Sequence, residues 1–179
     1  MNLQQAKLHL ETSKLLGVDF LPVAVQQENH SSLLKQLHKR HDANCPHCTQ
    51  ATGYTQTVFG SGNPEAQLMF LGEAPGAEED KQGIPFVGEV GKKLNEIISA
   101  MGMQREDVYI ANILKSKPPN NQTPSPQEVD QCGPFLIEQI VIVQPKVIVA
   151  LGSPATKFLL KTTHGISVLR GSWGVFDGI

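Results

Sequence analysis

The feature that most constrains the fold is a short apolar run that stops abruptly at glycine and proline residues. Leu68-Met-Phe-Leu-Gly72 has the composition of a buried strand. Pro75 and Gly76 then prevent that strand from continuing, which leaves the carboxylate of Glu73 at its carboxyl end. Because ligands of open parallel sheets bind beyond the carboxyl ends of the strands, we expect a site at this position.

Two further apolar runs end in the same way and predict a sheet. Val108–Ala111 is followed by Asn112, and Lys146–Leu151 is followed by Gly152. The segments between the runs have the apolar spacing of helices, at 88–101 and 125–143. Strands that alternate with helices, joined by right-handed crossovers, predict an α/β fold: a three-layer αβα sandwich around a central parallel sheet.

The N-terminal part of the chain predicts two helices, over 1–16 and 30–41. We interpret residues 1–41 as a helical extension that precedes a domain at 42–179. The sequence contains no apolar run near 18 residues, and its start lacks the apolar core of a signal peptide. We therefore expect a cytoplasmic protein that does not interact with a membrane.

The charge balance argues against a strongly basic nucleic-acid-binding protein. The formal net charge of the 179-residue chain is −2 with histidines neutral. A local basic patch is still compatible with this value, because several lysines flank the expected site: Lys81, Lys92, Lys93, Lys115 and Lys117.

Three cysteines do not make a disulfide framework, and two of them have the spacing of metal ligands. Cys45-Pro-His-Cys48 lets two thiolates reach one metal ion or one cluster, and Cys132 is the third thiol. The same spacing also occurs in redox pairs, and two buried thiols would need no chemistry at all. The spacing alone leaves these interpretations open.

The order and spacing of several motifs resemble a known family. The motifs are Gly72-Glu-Ala-Pro-Gly76 with Glu79-Asp80, Gly83-x-Pro-Phe-Val-Gly88, Asn112-Ile-Leu-Lys115 followed by two prolines, and Pro145-x-Val-Ile-Val-Ala-Leu-Gly152. From about Cys45 to Ile179 the chain resembles the family-4 uracil-DNA glycosylases of bacteria. These are the iron–sulfur type of the uracil-DNA glycosylase superfamily.

The resemblance implies a monomeric DNA repair enzyme that hydrolyses the N-glycosidic bond of uracil in DNA and releases free uracil. A flipped base must be stacked and read at its edge. Phe86 offers a face for stacking, and Asn112 offers both an acceptor and donors for uracil N3–H and O4. The backbone from Gly72 to Ala74 is expected to face uracil O2.

Two carboxylates are candidates for the catalytic step. Glu73 would stabilise an oxocarbenium-like sugar or orient the attacking water, and Asp80 is a weaker second carboxylate. Each site residue also has an ordinary structural interpretation. Phe86 would then be a core residue, Asn112 a turn cap, Glu73 a carboxylate bound to local backbone N–H groups, and Asp80 a solvated loop charge.

The chain departs from the family at its metal ligands. The family holds a [4Fe–4S] cluster with four cysteines, of which Cys45, Cys48 and Cys132 match three. Ser116 stands at the position of the remaining cysteine, and serine ligates iron only as a poorly matched alkoxide. An altered cluster, a zinc ion held with His47 or His41, and no metal are the alternatives.

A second departure concerns the C-terminal end of the sequence. In the family a histidine motif follows the last strand, and the sequence ends before that motif. His164 is not a substitute, since it precedes the Arg170-Gly-x-Trp segment. We therefore expect a domain whose last edge strand is missing.

Two other functions compete with the leading interpretation. The first is a non-catalytic or truncated nucleobase- or DNA-binding protein on the same fold, which would keep Phe86 and Asn112 without turnover. The second is a general nucleotide-binding α/β domain, since helix N-termini after glycine turns suit phosphates. The Gly72–Gly76 turn lacks both the G-x-G-x-x-G and the G-K-[ST] patterns, so this function ranks last.

Overall fold

The computed structural model describes residues 29–179, so the helix predicted over 1–16 lies outside the described residues. The helices are α1 (His30–Asn44), α2 (Ala77–Gln82), α3 (Glu89–Ala100), α4 (Pro126–Val143), α5 (Ser153–Leu160) and α6 (Ile166–Leu169). The strands are β1 (Ser61–Gly62), β2 (Leu68–Gly72), β3 (Tyr109–Asn112) and β4 (Val147–Ala150). Short 3-10 turns lie at Arg105–Asp107 and Pro119–Asn121.

The four strands form one sheet in the order β1-β3-β2-β4. β2 pairs in parallel with both β3 and β4, and β1 pairs antiparallel with β3 at one edge. Gly72 and Asn112 are register partners at the ends of β2 and β3. The predicted α/β class and parallel strands are therefore confirmed, and β1 is an additional antiparallel edge that the sequence analysis did not predict.

Two apolar cores cover the two faces of the sheet, as the strand period of two requires. On one face Met69 and Leu71 of β2 pack with Leu136 and Ile140 of α4, together with residues of α1 and α5. On the other face Phe70 packs with residues of β3 and α3: Ile110, Leu94 and Ile98. The sheet is thus the middle layer of the predicted αβα sandwich.

The helix boundaries agree with the sequence prediction at α4 and differ from it at α5. Ser125 caps α4, because its hydroxyl accepts from the Glu128 N–H at 3.3 Å and Glu128 Oε2 accepts from the Ser125 N–H at 2.7 Å. The sequence also indicated Ser153, followed by a proline, as the cap of a short helix after β4, and this cap is wrong. The cap is Gly152, whose carbonyl accepts from both the N–H and the hydroxyl of Thr156.

Two further elements differ from expectation. The six-residue helix α2 follows the Gly76 turn, where a loop was expected. Helix α1 extends across the predicted domain boundary between residues 41 and 42, and Leu34 of this helix is part of the main core. The division of the chain at that boundary stays a prediction. Within residues 29–179 no helix is long and apolar enough to cross a membrane.

Candidate functional site

A cavity of about 610 Å³ opens at the carboxyl ends of β2, β3 and β4. It brings together all five residues that were predicted to bind a base: Gly72, Glu73, Ala74, Phe86 and Asn112. The parallel pairing of β2 with its two neighbours explains the convergence, because the polar ends of these strands meet at the same edge of the sheet.

Asn112 presents an unpaired acceptor in this cavity. Its side chain is 1% exposed, and its Oδ1 has no hydrogen-bond partner among residues 29–179. The backbone beside it is fixed, since the Ile113 N–H donates to the Gly72 carbonyl at 3.1 Å. A buried amide oxygen without a protein partner is available to accept a hydrogen bond from a group that enters the cavity.

Phe86 converges with Asn112 above Gly72. A Cβ added to Gly72 would overlap Asn112 Oδ1 and would lie 2.5 Å from Phe86 Cζ. Gly72 is therefore needed for its small size, which leaves the aromatic ring and the amide side by side. Phe86 also packs against the core around Phe70. It is therefore both a lining residue of the cavity and a partly buried core residue.

The backbone of Phe86 is held in an uncommon conformation. Its φ of 52° lies in the left-handed region, which bulky residues rarely adopt. Arg105 fixes this turn, because its guanidinium donates to the Pro85 and Phe86 carbonyls. Gly91 of α3 allows the close approach, since any Cβ there would overlap the Phe86 carbonyl oxygen. Strain that several contacts enforce is typical of a binding site.

Glu79 joins the two loops that border the cavity. Its Oε1 accepts from the Val87 and Gly88 N–H groups at 2.9 Å, and its Oε2 accepts from the Gly76 N–H at 3.1 Å. Partial burial of this carboxyl disfavours the charged form, but the backbone donors outweigh that effect and hold the pKa of Glu79 below its usual value. The sequence analysis missed this role, although a glutamate three residues after a helix cap is typical of it.

The two predicted catalytic carboxylates occupy different environments. Glu73 lines the cavity, and burial raises its pKa above the usual value. Asp80 is buried outside the cavity lining, where its Oδ1 accepts from the Thr55 N–H at 2.8 Å. The interpretation of Asp80 as a solvated loop charge is therefore wrong, and its contact connects α2 to the segment that follows the cysteine pair.

Helix α3 supplies a wall of the cavity that the sequence analysis did not assign. Val90 and Ile97 expose apolar side chains there, at 71% and 52%, and Lys93 lies on the same wall. These residues repeat at helical spacing, and Val90 and Ile97 contribute to the apolar spacing that predicts a helix over 88–101. Exposed apolar side chains beside a cavity are typical of a ligand-facing surface.

A second cluster of functional side chains lies behind β3. His41, Cys45, Cys48 and Cys132 are all buried, and their ligand atoms lie within 4.8 Å of one another. The three thiols are free, so no disulfide connects them. The structure therefore brings together the three predicted cysteines and adds His41 as a fourth donor that could hold a metal ion.

Ser116 contacts this cluster through Cys48. Its Oγ is 3.5 Å from Cys48 Sγ and 3.1 Å from His47 Nε2. Ser116 is fully buried, and His47 also faces Glu128, with 3.8 Å between Nδ1 and Oε1. The serine at the expected cysteine position is thus part of a polar network around Cys48.

Lys115 connects the cluster to the cavity. Its fully buried Nζ donates to the Asn112 carbonyl at 2.8 Å and to Gln139 Oε1. Burial lowers the pKa of Lys115 to about 8, and the nearby thiols oppose this shift. The segment from Asn112 to Ser116 therefore has one end at the cavity and the other at the donor cluster.

This architecture defines the chain as an α/β protein with a ligand cavity at the carboxyl ends of parallel strands. The family model described as the Uracil DNA glycosylase superfamily matches residues 59–177. The chain therefore belongs to the uracil-DNA glycosylase superfamily, which confirms the resemblance found in its motifs.

Several curated proteins are similar to the chain. It is 49% identical over 129 residues to a type-4 uracil-DNA glycosylase of Thermotoga maritima, covering 72% of this chain and 67% of that protein. It is 48% identical over 115 residues to a type-4 uracil-DNA glycosylase of Archaeoglobus fulgidus, covering 64% of this chain and 58% of that protein. The matched part thus spans about three fifths to two thirds of these relatives.

Proposed function

We propose that this protein removes uracil from DNA by hydrolysing the bond between N1 of the base and C1′ of the deoxyribose. The observation that carries this proposal is the buried, unpaired Oδ1 of Asn112 beside the ring of Phe86. Family membership and the type-4 relatives support the same reaction and DNA as the substrate. The role would be in the excision repair of damaged bases.

The base is recognised by its edge and by its face. Asn112 Oδ1 accepts from uracil N3–H, and the amide nitrogen donates to O4. Cytosine presents an acceptor at N3 and donors at N4, so both contacts would fail and the pocket would reject it. The Phe86 ring stacks on the extruded base, a contact worth about 1–3 kcal/mol. Lys93 lines the α3 wall of the cavity, and its ammonium would contact a phosphate of the DNA strand.

The bond-breaking step needs charge stabilisation on both sides. As the C1′–N1 bond breaks, its electron pair leaves with uracil, and C1′ acquires oxocarbenium character. The carboxylate of Glu73 stabilises that cation and orients the water that forms the new C1′–O bond, and the proton that this water loses neutralises the uracil anion. Gly72 and Ala74 line the pocket where the departing anion would lie. Asp80 supports the site from outside through its bond to Thr55.

The buried thiols and His41 complete the proposal as a metal centre that anchors the segment after Asn112. The resemblance implies an iron–sulfur cluster there, with Cys45, Cys48 and Cys132 as three of its ligands. The free thiols suit a reducing compartment, which supports a cytoplasmic protein. We propose that it acts as a monomer, since a single chain supplies all the residues that the proposed reaction uses.

The test is a uracil-release assay with the purified protein on oligonucleotides that carry one uracil. We expect free uracil and an abasic site from the uracil strand, and no product from a matched strand that carries cytosine. A folded protein that binds the uracil strand and releases no base would contradict the enzyme. That outcome would support the alternative of a nucleobase- or DNA-binding protein with the same pocket.

A further inference from the structure

We propose that His41, Cys45, Cys48 and Cys132 form a mononuclear zinc site, in which His41 takes the place of a fourth thiolate. None of the donors of this site lines the cavity, so its occupancy can be tested without DNA or uracil. Three thiolates and one imidazole are a common donor set of structural zinc sites.

The spacing of the donor atoms suits one metal ion. Cys48 Sγ and Cys132 Sγ are 3.9 Å apart, and Cys132 Sγ is 3.8 Å from His41 Nε2. Zinc–sulfur bonds of about 2.3 Å in a tetrahedron place two sulfurs about 3.8 Å apart. In a four-iron cluster each thiolate binds a different iron, so its thiolates must spread more widely than around one ion.

The residue at the position of the family's remaining cysteine, Ser116, also disfavours an iron–sulfur cluster. Ser116 offers a hard oxygen where a soft thiolate is needed, and its Oγ already contacts His47 Nε2 at 3.1 Å. His41 is the only additional histidine or carboxylate within the compact donor group of the described chain. The residues present therefore fit a four-iron cluster poorly and fit a single tetrahedral ion well.

The ring of His41 is oriented as a metal ligand requires. Its Nδ1 and Asp42 Oδ1 are 2.9 Å apart, and Thr57 Oγ1 donates to the same carboxylate oxygen at 2.8 Å. A ligating histidine normally donates its other ring N–H to a carboxylate, which fixes the tautomer. The imidazole is fully buried against Phe135 in an edge contact, so Nε2 faces the thiols.

A buried positive charge lies near the proposed site. Three thiolates and one Zn²⁺ leave a net charge of −1, and buried charge requires a nearby opposite charge. The fully buried Lys115 is adjacent in the chain to Ser116, whose Oγ is 3.5 Å from Cys48 Sγ. Its ammonium supplies a positive charge near the thiolates, and the Asp42 carboxylate adds a negative one at His41 Nδ1.

The first experiment measures zinc, iron and acid-labile sulfide in the protein purified from one culture supplied with both metals. We expect one zinc per chain, with neither iron nor sulfide, and no visible absorption. After chelation, Co²⁺ should restore one metal per chain with tetrahedral bands and a thiolate charge-transfer band. Iron with sulfide in the purified protein would overturn the proposal, as would failure of the apoprotein to bind zinc or cobalt.

Variants then identify the fourth ligand. His41→Ala should lose the metal, whereas the matched variants His38→Ala, His47→Ala and Ser116→Ala should keep one zinc per chain. Loss of zinc from His47→Ala or Ser116→Ala, with retention in His41→Ala, would overturn the assignment. If His41→Ala does not fold, His41→Cys decides, because a fourth thiolate should keep one metal and intensify the Co²⁺ charge-transfer band. An unchanged band would contradict ligation by residue 41.

A further variant tests whether the Asp42 carboxylate orients the His41 ring, and its expected effect is smaller. Asp42→Ala should weaken zinc binding about 10- to 100-fold without changing the number of thiols that zinc protects from alkylation. Unchanged affinity would contradict the orientation argument and with it the assignment of Nε2 as the ligand. These readouts involve neither DNA nor uracil, so failure of the zinc proposal and failure of the proposed glycosylase are distinguishable.

Discussion

The cavity and the donor cluster lie at the two ends of the short segment from Asn112 to Ser116, and they are built in different ways. The cavity is formed by strand ends that parallel pairing brings together. The cluster gathers donors from α1, the loop after it and α4, with His41 and Cys132 separated by 91 positions. The matched family region, 59–177, contains the cavity but not His41, Cys45 or Cys48.

This difference separates the residues that would bind the substrate from the residues that would hold a metal. The cavity keeps an unpaired acceptor and a strained aromatic residue, which are unfavourable for folding and useful for binding. The cluster contains only buried donors that face one another, which is favourable for a metal, and none of these donors lines the cavity. Variants in the cavity should therefore lower uracil release and leave the metal content unchanged, and variants in the cluster should first alter the metal content.

The largest effect is expected from Asn112→Asp. Replacing the amide donors with a carboxylate removes the contact to O4 and places a negative charge against it, so uracil release should fall about 100- to 1000-fold. The assay is release under single-turnover conditions, with circular dichroism and metal content measured on the same sample. Asn120→Asp, which makes the same change at an exposed loop position, should release uracil like the parent protein.

Glu73→Gln should have the next largest effect, about 100-fold on the rate of release, because the neutral amide stabilises a developing cation poorly. Burial raises the pKa of Glu73, so the active carboxylate is present above that pKa and is lost as pH falls through it. The parent protein should therefore lose activity on the acid side, starting above the usual glutamate range. If the rate of uracil release by Glu73→Gln fell at low pH in the same way as the rate of the parent protein, this role would be contradicted. Glu65→Gln, on the exposed loop before β2, is the control.

Gly72→Ala should lower release by up to about 100-fold, because the new methyl group displaces the Asn112 amide and the Phe86 ring from their places. Release and binding of a uracil-containing oligonucleotide should fall together. Gly165→Ala is the matched control, since its Cβ would meet only Ser167 Oγ at an ordinary 3.7 Å. Equal activity of the two variants would show that the space above Gly72 is not where the base binds.

The smallest effect concerns Glu79. The pKa of this carboxyl is lowered in the folded protein, so its contribution to stability is present above about 4.5 and is lost as pH falls through the folded value. At pH 7, Glu79→Gln should lower the free energy of unfolding by about 1 kcal/mol, and the two proteins should converge in acid. Urea unfolding at both pH values measures this. Glu78→Gln, which removes an exposed pair with Lys81, should change stability by less than about 0.5 kcal/mol.

The same comparison explains what could be predicted from the sequence. The strands and the cavity followed from residues that are contiguous in short motifs, and parallel pairing then placed Gly72 and Asn112 side by side. The roles of Arg105 and Gly91 depend on tertiary contacts with the backbone of Phe86 and leave no local pattern. His41 was one of two histidines considered, and only the packing of α1 against α4 selects it.

The most direct test of the proposed recognition observes the side-chain amide of Asn112 by NMR. An oligonucleotide with one 2′-fluoro-2′-deoxyuridine would bind without rapid cleavage, because fluorine destabilises the oxocarbenium-like state. We predict that the Asn112 amide resonances, assigned by their loss in Asn112→Asp, shift with this strand and not with a matched cytidine strand, while those of Asn120 stay unchanged. Binding of the uracil strand with an unmoved Asn112 amide, or equal shifts with both bases, would contradict recognition by Asn112.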